Sequence, residues 1–273
     1  MVDHKSGEIA LNNQISRRAS FATLAAAAAA PALTGASAQA ATGLPLPKNF
    51  TIYHLEGRRS ERIVWLMEEL GLPYNLVFTQ GDLGASMAAI RKVNPLAPMA
   101  PTVQYGDQVL VESGSIIELI LNRHAAGKLA PPVASHDYPT YLRFMHFAEG
   151  SLADRLFSDY RFFMANPPKE RSPLVDSQSV VNFCEDQLSK QPWFSGAAFG
   201  GADIMQWFPL NVATALNLVD KEAYPKVAEW KTRVEARPAF KRMRAKALPN
   251  GMVGNLTPLP KHAPTGPRAN GNK

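Results

Sequence analysis

The sequence predicts an α/β unit followed by an all-α unit, and three observations carry that prediction. Strand and helix patterns alternate over the first half, a Pro-rich break follows, and beyond it only helical periodicity recurs. FTIYHL at 50–55 is a short apolar strand. Ser60 precedes ERIVWLMEELG, in which Ile63, Leu66, Met67 and Leu70 recur at helical spacing, and Gly71 with Pro73 stops the run. YNLVF at 74–78 reads as a second strand, and GASMAAIRKVN as a short helix halted before Pro95. TVQY and QVLV flank Gly106-Asp107, a two-residue hairpin signal. Ser113 opens a further helix, GSIIELILNRH. The order strand, helix, strand, helix, hairpin, helix predicts a mixed sheet with one parallel crossover and helices packed on it.

The first unit is placed at 48–125, with a linker rich in Pro and small residues at 126–137. From 138 to 248, YLRFMHFAEGSLADRLFSDYRFFM, VDSQSVVNFCEDQLSK, ADIMQWFPLNVATALNLV and YPKVAEWKTRVEAR all read as helices of a bundle. The stretch 249–273 is dense in Pro, Gly and Asn without apolar periodicity and reads as a loose tail. Residues 1–40 stand apart from the fold. Arg17-Arg18 precedes the weakly apolar FATLAAAAAAPAL and the small-residue sites Ala36-Ser37-Ala38 and Ala38-Gln39-Ala40, which together look like a twin-arginine signal peptide. That reading places the mature chain in the periplasm or outside the cell, and in the cytoplasm if the leader is not processed. The apolar run is too short to span a bilayer, so no membrane association is expected once the leader is removed.

Of the 273 residues, 46% are hydrophobic and 19% charged, a profile that excludes disorder throughout. The 29 basic and 23 acidic residues give a formal charge of +6, scattered except for Arg58-Arg59 and KRMRAK at 241–246, which argues against a nucleic-acid partner. A single Cys184 forbids an intramolecular disulfide, and the six His show no metal-ligand spacing, so no metal is expected. Cys184 falls with Val181 and Leu188 on one helical face and reads as a small core residue.

Three features of the first unit meet in one order: a serine at the start of the first helix, a proline before a hairpin strand, and an acidic residue followed by serine at a helix start. With RSERIVWLMEELGLPYN, NPLAPMAPTVQYGDQVLVESGSIIELIL, QPWFSGAAFGGADIM and YPKVAEWKTRVEARPAFKR, they resemble the glutathione S-transferase family from about residue 50 to about 246. The resemblance implies a thioredoxin-like N-terminal domain, a helical-bundle C-terminal domain, glutathione as co-substrate, a small hydrophobic electrophile as second substrate and a homodimer. It implies a cis bond before Pro101, with Ala100 offering its backbone to the cysteinyl part of glutathione. It also gives the γ-glutamyl carboxylate to Ser113 at a helix N-terminus, where amides and macrodipole favour an anion, and the ligand ammonium to Glu112. Without a ligand, Ser113 reads as an ordinary N-cap and Glu112 as a solvated charge.

For catalysis the thiol of glutathione must ionise. Lowering its pKa by about two units takes about 2.7 kcal/mol of preferential thiolate stabilisation. Ser60 is the candidate hydroxyl donor and reads equally well as a plain N-cap. Serine-type members often carry serine two positions earlier, where this chain has Arg58; Tyr53 is the alternative hydroxyl and Arg59 an alternative charge. His146 and Glu149, three apart, read as a polar patch on a seam rather than an acid–base pair. Phe144, Phe147, Phe157, Tyr160 and Phe163 fit either core or an apolar site. Asp203 reads as structural, accepting amide bonds at a helix start where Gly200 offers no side chain. Two alternatives accompany the transferase reading: a non-catalytic exported binder of glutathione or an apolar ligand, and a glutathione-dependent reductase or peroxidase, the reductase weakened by the lack of an active-site cysteine.

Overall fold

The computed structural model of the protein describes residues 43–165, 177–219, 221–251 and 257–258. The leader read at 1–40 and most of the tail read at 249–273 lie outside the described residues. β1 (Phe50–Tyr53), β2 (Asn75–Val77), β3 (Thr102–Tyr105) and β4 (Gln108–Leu110) form one sheet in the order β2-β1-β3-β4. β1 and β2 are parallel and joined through α1 (Glu61–Leu70), whereas β3 runs antiparallel to both β1 and β4. This is the mixed sheet with one crossover that the element order requires. Gly106 takes a positive φ of 66° in the β3–β4 turn, and Gly71 closes α1 in the left-handed region with its N–H on the Met67 carbonyl.

α2 (Leu83–Val93) and α3 (Ser113–His124) complete the sheet layer. Asp82 caps α2 by accepting the Ala85 N–H at 2.9 Å. The helical layer comprises α4 (Tyr138–Phe147), α5 (Asp154–Ala165), α6 (Ser177–Lys190), α7 (Gly201–Ala215), α8 (Pro225–Ala236) and α9 (Pro238–Ala247). The stretch read as one long helix from Tyr141 is interrupted by a π-helical segment, Ala148–Ala153, that contains Gly150.

One continuous core joins the layers. α1 is buried on every side from Glu61 to Glu68, because the sheet layer covers one face and α7 and α9 cover another. Trp65 sits at that junction, 5.1 Å from Phe240, 5.5 Å from Phe199 and 6.3 Å from Trp207 between ring centroids. Cys184 is fully buried, and desolvation pushes its thiol far up, as a core residue requires. Asp203 is also fully buried. It accepts the N–H groups of Phe194 (2.9 Å), Ser195 (3.3 Å) and Gly200 (3.1 Å) and the Trp230 Nε1–H (2.8 Å), so it holds the loop before α7 against α8. Burial raises its carboxyl, and these four donors pull against that rise. Phe144 belongs to the core, stacked on Phe183 and packed against Phe194. The Phe163 side chain lies outside the described set.

Candidate active site

Local signals place the parts of the site. The Ala100–Pro101 peptide bond is cis and immediately precedes β3. Ala100 is half-buried and Pro101 buried. Glu112 is exposed and holds φ 69° and ψ 102°, outside the regions an ordinary side chain favours. The helix cap is therefore Glu112, and Ser113 is the first helical residue; this corrects the reading of Ser113 as the N-cap. Ser113 is almost fully buried, and its Oγ accepts the Arg62 Nη1–H at 3.0 Å, which leaves its own O–H to donate.

Ser60 stands elsewhere than its expected task requires. Its relative exposure is 0%, and its Oγ accepts the Leu55 N–H at 3.0 Å, donates to His54 Nδ1 at 2.8 Å and lies 3.3 Å from the Leu55 carbonyl. The expectation that Ser60 donates to a ligand sulfur does not fit a hydroxyl enclosed and occupied in this way. Nor does it cap: the residue has helical φ and ψ and makes no side-chain cap bond. Its work is to tie the loop between β1 and α1. His54, on the same loop, donates its Nε2–H to the Ala247 carbonyl at 2.6 Å. Tyr53 remains on β1, paired with Val77 and Thr102.

Arg62, which periodicity alone gave no reason to single out, joins the parts. Its side chain is 0% exposed. Besides Ser113 it donates to Glu149 Oε1 and, through Nη2, to the Met205 carbonyl at 2.5 Å. The Met205 carbonyl is available because Pro209, four residues on in α7, has no N–H to give it. The signal for Arg62 was thus present as a proline inside a helical run, but only the tertiary fold shows which donor answers it. The same Glu149 oxygen accepts Arg59 Nε–H at 2.8 Å. A chain therefore runs from the start of α3 to the start of α1: Ser113, Arg62, Glu149, Arg59.

The electrostatics follow from that chain. Burial alone would raise the Glu149 carboxyl, but Arg62 and Arg59 more than offset it and hold the group below its ordinary range. Burial depresses Arg62, and Glu149 opposes this. Arg59 is 34% exposed at its side chain, with its guanidinium 5.1 Å from the Phe208 ring centroid and 5.7 Å from that of Phe157. Those two rings meet edge to face at 6.3 Å. Phe157 thus packs beside Arg59, whereas Tyr160 donates to the Thr257 carbonyl at 3.0 Å. His146 parts from Glu149 and lies 3.5 Å from Glu118 on α3, so the pair read as one seam patch is divided between two partners. Two cavities, one of about 690 Å³ by Met67, Glu68, Tyr74 and Lys246 and one of about 330 Å³ by Pro131, Asp137 and Phe199, include none of Ala100, Ser113 or Arg59. Among the described residues no group of three or more His, Cys, Asp or Glu is placed to hold a metal ion.

The family models decide what this arrangement belongs to. Residues 52–128 match the glutathione S-transferase N-terminal domain and residues 168–238 the C-terminal domain. The chain belongs to the glutathione S-transferase family. Glutathione S-transferase 3 of Schizosaccharomyces pombe is 25% identical over 205 residues, 69% of this chain and 84% of that protein. A solved glutathione S-transferase from Actinobacillus pleuropneumoniae is 25% identical with a TM-score of 0.60, over 72% of this chain and 92% of that one. A glutathione transferase from Phanerochaete chrysosporium in complex with oxidized glutathione has the same fold at 22% identity, with a TM-score of 0.59 over 73% of this chain and 96% of that one. The fold is accordingly the thioredoxin-like sheet layer with a helical C-terminal domain.

Proposed function

We propose that this chain is a glutathione transferase that binds glutathione along the line from Ala100 to the starts of α3 and α1 and directs its thiolate at a small hydrophobic electrophile. The observation that carries the reading is the link between two helix N-termini through Arg62, in a sheet layer whose β3 is entered through a cis bond. Glutathione is an extended anionic peptide. Backbone at Ala100 pairs with its cysteinyl part, while the O–H of Ser113 and the α3 amides take the γ-glutamyl carboxylate. The departure of Glu112 from ordinary backbone angles is the kind of local cost a ligand-facing residue bears, and its exposed carboxylate suits the ligand ammonium. Phe157 and Phe208 give an apolar wall beside the sulfur for the electrophile. The reaction forms a sulfur–carbon bond as the electrophile's leaving group departs, or adds sulfur across an activated double bond.

Steady-state conjugation of glutathione to a chloronitrobenzene tests the reading. Turnover lost in Ser113→Ala mainly through KM for glutathione is expected, and wild-type protein that binds glutathione without turnover would favour a binder of the same fold instead. The Ser60 geometry favours that second reading only so far as a buried hydroxyl is unavailable to the thiol. The reading extends to a homodimer, measurable by sedimentation, and to export through the Arg17-Arg18 leader. Sequencing the mature N-terminus after expression with the leader tests export, and an intact Met1 chain retained in the cytoplasm counts against it.

A further inference from the structure

We infer that Arg59, not a serine or tyrosine hydroxyl, is the group that meets the glutathione thiolate. This deepens the transferase reading and rests on it. The start of α1 carries more positive than negative charge. Arg59 and Arg62 share a single oxygen of one carboxylate, Glu149 Oε1. A further carboxylate beside Arg62, Glu61, is itself faced by Arg58 and Arg244, so four guanidinium groups meet two carboxyl groups and the cluster retains a net positive charge. Arg62 is fully enclosed and committed to Glu149, Ser113 and Met205. The excess therefore resides on Arg59, the member of the pair with an exposed edge. Among the described residues its Nε is committed to Glu149, whereas its two terminal nitrogens have no protein acceptor.

The surroundings make that excess matter. Phe157 and Phe208 flank the guanidinium on low-dielectric walls, where an unmatched charge interacts more strongly with an arriving anion than it would in water. Glu149 and the Phe rings fix the side chain from the helical layer, so little ordering is required when the anion arrives. Arg58, one residue earlier, turns its Nη1 to the Gly57 carbonyl at 3.0 Å and closes the loop. Glu61, on the next position of α1, is buried beside Arg244, Arg58 and Arg62. The hydroxyl expected to do the same task, Ser60, is enclosed by His54 and Leu55. In the proposed step the thiol gives its proton to water, the sulfur pairs with the terminal N–H groups of Arg59, and the sulfur lone pair then attacks the electrophile.

Titration of the thiolate absorbance of bound glutathione against pH tests the assignment in wild type and Arg59→Met, alongside calorimetry with S-methylglutathione, which has no ionisable sulfur. In wild type the bound thiol is expected to titrate well below free glutathione. In Arg59→Met it is expected to return at least tenfold in acidity toward the free thiol, Arg59→Lys is expected to recover most of the shift, and S-methylglutathione affinity should change less than about twofold. Arg59→Gln, which keeps a donor toward Glu149, supplies the same comparison if the Met variant does not fold. A thiol that titrates in Arg59→Met or Arg59→Gln as in wild type overturns the inference. So does an equal loss of glutathione and S-methylglutathione affinity, which would put Arg59 on a ligand carboxylate. Wild-type protein that binds neither compound defeats the transferase reading itself, a result distinct from either of these.

Discussion

Pro209 leaves the Met205 carbonyl without its helical donor, and Arg62 answers it from a different layer of the molecule. At this scale the sequence hid most of the site. The cis bond after Ala100 and the helix start at Glu112 and Ser113 were legible because each stands at an element boundary, where local rules apply; Ser60 was marked at such a boundary too, but its enclosure by His54 and Leu55 was not. Arg62 and Glu149 were not, because their pairing joins residues 87 positions apart and depends on two layers closing on each other. The same physics sets two expected outcomes. Glu149→Gln leaves two guanidiniums without a countercharge, so chemical denaturation at pH 7 should show a loss of about 3 kcal/mol. Since Arg62 and Arg59 hold the wild-type carboxyl low, that difference should persist through mildly acidic solution and shrink only as Glu149 itself protonates. Asp203→Ala orphans four buried donors and should cost about 4 kcal/mol, measured by the same method.

The segment from β1 into α1 shows how an element carries opposing titrations. Burial holds the His54 imidazole down to about 4 from 6.5, partly offset by the Ala247 carbonyl. Between those values the unfolded chain binds the extra proton, so the stability owed to neutral His54 rises with pH and is complete above about 6.5. Burial raises the Glu61 carboxyl from 4.5 to about 7 against the pull of Arg244, the Gly57 backbone, Arg58 and Arg62. Here the folded chain binds the extra proton, so the contribution is present below 4.5 and is lost as pH climbs to about 7. The two slopes oppose each other between 4.5 and 6.5. Glu61→Gln removes the falling one. Melting temperatures of that variant should rise steadily with pH where wild type stays level, and near pH 8 the variant should be the more stable by about 3 kcal/mol. A variant with the wild-type pH profile would contradict this account of the segment. Most elements here were legible in the sequence: α1 from its apolar spacing and Gly71, the hairpin from Gly106-Asp107, α3 from its apolar run. The π-helical Ala148–Ala153 was not, since FAEGSLAD continues the helical pattern and only packing against α6 and α7 displaces it.

Over the whole molecule, two units that sequence patterning separates at a linker share one core. Trp65 packs against Phe240, Phe199 and Trp207, and two α1 carboxylates anchor α9: Glu68 accepts Arg242 at 2.8 Å and Lys246 at 2.6 Å, and Glu69 accepts Arg237 at 2.7 Å. Phe240→Ala should therefore cost about 3–5 kcal/mol, with far-ultraviolet dichroism and tryptophan fluorescence melting together as one transition. Separate transitions would mean that the layers fold apart. That shared core is what brings the starts of α1 and α3 within reach of Glu149, on which the proposed glutathione site depends. Calorimetric titration of the protein with glutathione near neutral pH addresses this most directly. A single saturable site per chain is expected, weakened by Ser113→Ala. The absence of heat at millimolar glutathione, with no accompanying rise in melting temperature, would contradict it.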